Sequence, residues 1–176
     1  ASSAGVASVA VGGASAAVSW ATGNFFAGTS TLVLGASSAT HTVNFQNPIN
    51  LNGGNRIVQV DDGAASVDAN LSGAITAGSF SLTKTGAGTL QLSSTGNNYG
   101  AGTIVESGTL KLGASGVIPD AGTVTVRRAT TAGSTNGVLD INGFAETIGA
   151  LTLGHATTTA ANAGQTISVI NSGAAA

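Results

Sequence analysis

Asp61, Asp62 and Asp68 are the one local cluster of acids in this sequence of 176 residues. Carboxylates so placed could do two kinds of chemistry. Several oxygen ligands around one point would hold a hard cation such as Ca2+. Set beside Lys or Arg on one face, they could act as acid and base in cleaving a polysaccharide. The other acids, Glu106, Asp120, Asp140 and Glu146, are scattered singly. The nearby stretch Gly53-Gly54-Asn55-Arg56-Ile57-Val58 lacks the acidic residue of a calcium-binding nonapeptide. The plainer reading of the cluster is a solvated turn at Asp61-Asp62 with Asp68 on a neighbouring strand.

The remaining reactive side chains form no constellation. Arg127-Arg128 is the single basic pair. Adjacent residues of a strand face opposite sides, so a solvated loop is favoured over an anion site. His41 and His155 sit in unrelated contexts and read as surface or edge residues, which leaves the many serines without a base. The glycines follow no phosphate-loop pattern. There is no Cys, which excludes disulfides and thiolate metal sites. We therefore expect no enzyme, no cofactor and no resident metal.

Composition narrows the partners. Charged residues are 7% of the chain, against roughly 25% in an ordinary soluble domain. Net charge is -2 and pI about 5.4, so the basic face that nucleic-acid binding requires is missing. No apolar run approaches the roughly 20 residues of a spanning helix. No signal peptide is visible in residues 1–20, so an exported protein would present this as a mature or excised segment. Mean hydropathy of +0.34 with abundant Val, Thr and Ile argues for order.

Short strands supply that order. The tetrads Thr31-Leu32-Val33-Leu34, Thr89-Leu90-Gln91-Leu92 and Thr109-Leu110-Lys111-Leu112 place apolar residues at alternate positions. Thr123-Val124-Thr125-Val126 and Ala150-Leu151-Thr152-Leu153 repeat the pattern in weaker form. Further strands are expected at 41–45, 49–51, 57–60, 65–71, 80–83, 103–105, 138–141 and 166–170. Turn signals such as Asn52-Gly53, Gly86-Ala87-Gly88 and Asn142-Gly143 separate them. No segment keeps a helical apolar period, so little or no helix is expected. A strand this short cannot bury its apolar face alone, and stacking on copies of itself solves that problem. The chain reads as an all-β solenoid, with a β-sandwich as the competitor because Asn-Gly steps also mark hairpins. Residues 31–176 form the solenoid. Residues 1–30 are a small-residue cap or interaction arm, in which Trp20, Phe25 and Phe26 plug the core or, less favoured, offer a ligand platform.

One stretch carries a family resemblance. Leu82-Thr83-Lys84-Thr85-Gly86-Ala87-Gly88-Thr89-Leu90-Gln91-Leu92 is followed by Asn97-Asn98-Tyr99-Gly100-Ala101-Gly102-Thr103 and Gly108-Thr109-Leu110-Lys111-Leu112. This resembles the autotransporter-associated β-strand repeat of large bacterial surface proteins, and the likeness extends over residues 80–153. The resemblance implies a right-handed parallel β-helix, exported and displayed at the cell surface. Its motif residues here are Leu82, Lys84, Gly86, Gly88, Leu90, Leu92, Tyr99, Gly108, Leu110 and Leu112. Leu82, Leu90 and Leu92 should face the interior, and Gly86 and Gly88 should flank a tight corner. Lys84 should be structural, its stem along the coil and its ammonium on turn carbonyls. A larger echo aligns Leu34-Gly35 with Leu153-Gly154.

The functional expectation is a non-enzymatic structural module: a rigid spacer, an adhesin shaft or a self-assembling fibre subunit. Exposed strand edges invite pairing, and residues 1–19 and 156–176 carry no charge to prevent it. The expected partners are a second copy, joined end to end, or covalently neighbouring repeats. Val6, Val9, Val11, Ile167 and Val169 mark those ends. The alternative is a module binding carbohydrate or a host surface, with Tyr99 or Trp20 stacked on sugar rings. A polysaccharide-active enzyme is the least favoured reading.

Overall fold

In the computed structural model, residues 6–21, 27–76, 78–127, 135–154 and 167–173 are described. Phe25, Phe26, Arg128 and His155 lie outside them. The described residues form strands joined by turns, with no helix, and thus no helix long and apolar enough to cross a membrane. The strands are β1 (Val6–Val9), β2 (Val18–Ser19), β3 (Leu32–Leu34), β4 (Thr42–Phe45), β5 (Ile49–Asn50), β6 (Arg56–Val60), β7 (Ala69–Leu71) and β8 (Ile75–Thr76). They continue as β9 (Ser81–Thr85), β10 (Thr89–Leu92), β11 (Gly102–Val105), β12 (Gly108–Leu112), β13 (Thr123–Arg127), β14 (Gly137–Asp140), β15 (Ala150–Gly154) and β16 (Ser168–Ile170).

These strands wind as a coil. A seven-stranded sheet runs β1-β4-β7-β10-β12-β14-β16, a six-stranded sheet runs β15-β13-β11-β9-β6-β3, and a short sheet runs β2-β5-β8. All pairings are parallel. Each sheet takes its strands in steps of one coil, which is a parallel β-solenoid and not a sandwich of antiparallel pairs. The first three coils have three sides, and the later ones have two described strands each.

Register puts like on like. In the seven-stranded sheet Val43, Ala69, Leu90, Leu110, Leu139 and Val169 are successive partners, as are Phe45, Leu71, Leu92 and Leu112. Both columns point inward, and the four leucines at 90, 92, 110 and 112 are fully buried. Each such side chain contributes roughly 1.5–3 kcal/mol by leaving water. Leu90 pairs with Leu110, so this coil is 20 residues long as the sequence spacing suggested.

The tetrads do not stack in one ladder. Those in β10 and β12 lie in the seven-stranded sheet, whereas those in β3, β13 and β15 lie in the six-stranded one. The short interval from Thr109 to Thr123 is a crossing between sheets. The longer one from Val124 to Leu151 is a full coil with a wide loop. Alternation reports which face is buried but not which sheet a strand joins. β1 and β2, in the stretch expected as cap or arm, join the ladders through β4 and β5.

Candidate functional site: the Lys84 corner

Lys84 occupies an inward position of β9, between Val58 of β6 and Val105 of β11 in one column. Those two neighbours are valines with no exposure, and Lys84 has none either. Its ammonium donates to the carbonyls of Thr85 at 2.8 Å, Gly86 at 2.7 Å and Ser107 at 3.0 Å. Three acceptors match the three donors of an ammonium. Burial lowers its pKa to about 7, against an upward pull from Asp68, Asp61 and Asp62.

The corner around it is built by glycine. Gly86 has φ +80° and Gly108 has φ +64°, in the region that excludes most side chains. A Cβ on Gly86 would run into the Val60 carbonyl, and one on Gly108 into the Gly86 carbonyl. The three corner positions therefore stack backbone on backbone through consecutive coils. Gly88 keeps φ negative, yet a Cβ there would lie 2.6 Å from the Asp61 carbonyl oxygen. Close approach, not torsion, is what demands glycine at 88.

The acidic cluster belongs to this corner too. Asp68 is buried, so it is no solvated strand residue. Its Oδ1 accepts the Gly63 amide at 2.8 Å and its Oδ2 the Thr89 amide at 2.7 Å. Asp61 accepts the Gln59 side-chain amide at 2.9 Å. Among the described residues no three His, Cys, Asp or Glu side chains group as metal ligands. The carboxylate that could have led a Ca2+ site instead ties two turns of backbone together.

Both aromatic platforms proposed for sugars are interior. Tyr99 has no exposure, and its hydroxyl shares a hydrogen bond with Thr103 Oγ1 at 2.9 Å. Burial pushes the phenol pKa up. Trp20 is likewise buried, its indole N–H donating to the Ser30 carbonyl at 3.1 Å. Neither face is available to a ligand, because a large ring in a chain this poor in aromatics is drawn into the core.

Several structural residues escaped the sequence reading. Arg56 is an inward residue of β6 whose guanidinium lies 5.5 Å from the Trp20 ring centroid. It donates to the carbonyls of Leu51 at 2.7 Å, Asn52 at 3.0 Å and Gly28. Asn47, also buried, accepts the Val11 amide at 2.7 Å and donates to the Val11, Gly13 and Ala16 carbonyls, pinning the segment after β1. A legible signal existed for one further device. Ile49-Asn50-Leu51-Asn52-Gly53 and Leu139-Asp140-Ile141-Asn142-Gly143 share a pattern. In each, the Asn before the glycine has positive φ and donates its amide to the side chain two residues earlier, Asn50 or Asp140. Its own side chain then donates to a carbonyl of the preceding coil, Trp20 or Leu112.

The residues expected at the ends divide. Val6, Val9, Val11 and Val169 are exposed, whereas Ile167 is half-buried against the core. Arg127 lies on β13, not in a loop, and pairs with Glu106, the residue after the adjacent β11.

No curated protein and no solved structure matches the chain. Residues 82–112, which run from the inward leucine before Lys84 to the end of β12, match the family described as the passenger-associated-transport-repeat. Lys84 and Gly86 stand near the start of that segment and Gly108 near its end, and the match supports the likeness of residues 82–112 to the autotransporter-associated repeat.

Proposed function

We propose that this chain is a structural shaft of a bacterial autotransporter-type passenger, exported and displayed at the cell surface, where it holds other parts at a distance from the membrane. The observation that carries this reading is the in-register stacking of consecutive coils, with Leu90 on Leu110 and Leu92 on Leu112. Backbone hydrogen bonds then run along the axis, so the rod resists bending without disulfides or metal. Buried polar groups such as Lys84, Asp68, Arg56 and Asn47 satisfy turn backbone, which supports a structural part for them. On this reading the role is structural, and neighbouring modules add their strands to its exposed edges.

The glycan-binding alternative has lost its aromatic supports. The outward row of the seven-stranded sheet does present amides, but Asn70 bonds Asn44 at 3.1 Å and Ser93 bonds Asn70 at 2.8 Å. These groups engage one another.

Antibodies against the folded chain test the proposal. They should label intact cells that make the parent protein, or its medium. Labelling only after the cells are permeabilised would sink it.

A further inference from the structure

Three Asn-Gly steps punctuate the chain, at 52–53, 136–137 and 142–143. Asparagine is a thermolabile residue, and before glycine it is most open to attack, because the glycine nitrogen has no side chain beside it. That nitrogen can attack the Asn Cγ. The N–Cγ bond forms, the Cγ–Nδ2 bond breaks, and the proton of the glycine N–H leaves with the side-chain amide as ammonia. Water then opens the succinimide at either carbonyl, giving Asp or isoaspartate. Two of the three steps are held in a shape that blocks the first move. Asn52 and Gly53 have φ +45° and +73°, and Asn142 and Gly143 have φ +48° and +80°. Successive positive φ is the type I′ turn, whose first residue is left-handed, with ψ of about +47°. Closing a five-membered ring needs the glycine nitrogen on the same side of the Cα–C bond as Cβ. At that ψ the nitrogen stands nearly opposite Cβ instead.

The coil also fixes the group under attack. Nδ2 of Asn52 donates to the Trp20 carbonyl at 2.7 Å, and Nδ2 of Asn142 to the Leu112 carbonyl at 3.0 Å. Each turn is pinned by its Asn backbone amide, which donates to Oδ1 of Asn50 at 2.8 Å or of Asp140 at 2.9 Å. We infer that Asn52 and Asn142 are latent deamidation sites, shut while their coil is closed and reactive once it opens. Conversion is one-way. Asp in place of either Asn has no amide donor for the Trp20 or Leu112 carbonyl, and isoaspartate adds a carbon to the backbone of the turn. A converted coil no longer fits the coil before it, so a transient opening at these two corners becomes permanent.

Residue-resolved mass spectrometry of the full chain tests this, after incubation in mildly alkaline buffer with and without enough urea to unfold it. In urea all three Asn-Gly steps should convert at similar rates, which gives the intrinsic rate. Without urea, Asn52 and Asn142 should convert more slowly by roughly tenfold or more, because reaction then waits on local opening. Asn50→Ala removes the acceptor that pins the Asn52 turn. Asn50 is exposed, and circular dichroism checks that the variant keeps its strands. Conversion at Asn52 should then rise several-fold, while Asn142 in the same sample stays slow. Native rates equal to those in urea at Asn52 or Asn142, or a rate at Asn52 indifferent to Asn50→Ala, would overturn the inference.

Discussion

Lys84 and Ser107 lie on consecutive coils, and the ammonium of the first donates to the carbonyl of the second at 3.0 Å. The same ammonium holds the Thr85 and Gly86 carbonyls of its own turn. One interior cation thus joins the corners of two coils, where the backbone turns away from both sheet ladders and would otherwise leave acceptors unpaired.

The Lys84 charge makes stability depend on pH. Its folded pKa is lowered from 10.5 to about 7, chiefly by burial. Between those values the unfolded chain holds a proton that the folded chain has released, so stability rises with pH from about 7 to about 10 and is flat just below. Urea midpoints measured from pH 6 to 10 should climb. Lys84→Met should flatten the climb, and an equal climb in that variant would assign it to another group.

Asp68 should behave as a backbone clamp. Asp68→Asn keeps one acceptor oxygen but turns an amide donor toward the Gly63 or Thr89 N–H. Leaving one buried amide unpaired costs roughly 1–3 kcal/mol, read as a lower thermal midpoint. Millimolar Ca2+ should leave the native midpoint where it is; a clear upward shift would restore the cation reading of Asp61, Asp62 and Asp68.

Glycines at the corners should rank by what surrounds them. Gly116 has φ +67° with nothing within 4 Å of a Cβ, so Gly116→Ala pays only the torsional cost of roughly 1–2 kcal/mol. Gly108→Ala meets that cost and a collision with the Gly86 carbonyl as well. It should lose about 3 kcal/mol or more, measured by urea unfolding of both variants side by side. Equal losses would mean that the corners relax freely.

Tyr99 separates packing from polarity. Tyr99→Phe keeps the ring and removes the partner of Thr103, at roughly 1 kcal/mol. Tyr99→Ala opens a cavity in the core, at roughly 3–5 kcal/mol. If Tyr99→Ala cost no more than Tyr99→Phe, the ring would not be part of the packed core.

The repeat was legible because its constraints are local. Alternating leucines in 89–92 and 109–112, glycine at 86 and 108, and the lysine two residues before Gly86 all answer to a single turn of chain. The roles of Arg56, Asn47 and Asp68 were not. Arg56 is the first charged residue after a long uncharged stretch, and nothing in its neighbours shows that it stacks on Trp20 from the interior. Asn47 acts on Val11, Gly13 and Ala16, which belong to the coil before it. Tyr99 and Trp20 looked like ligand platforms because ring chemistry is the same whether the ring faces solvent or core.

From residue order alone, then, came the strands, their buried faces and the solenoid, since alternation and turn chemistry act between near neighbours. The allotment of those strands to two main sheets waited on the fold, as did the burial of Lys84 and Asp68. Those depend on which coil lies above which, and that is settled by contacts between residues far apart in the chain.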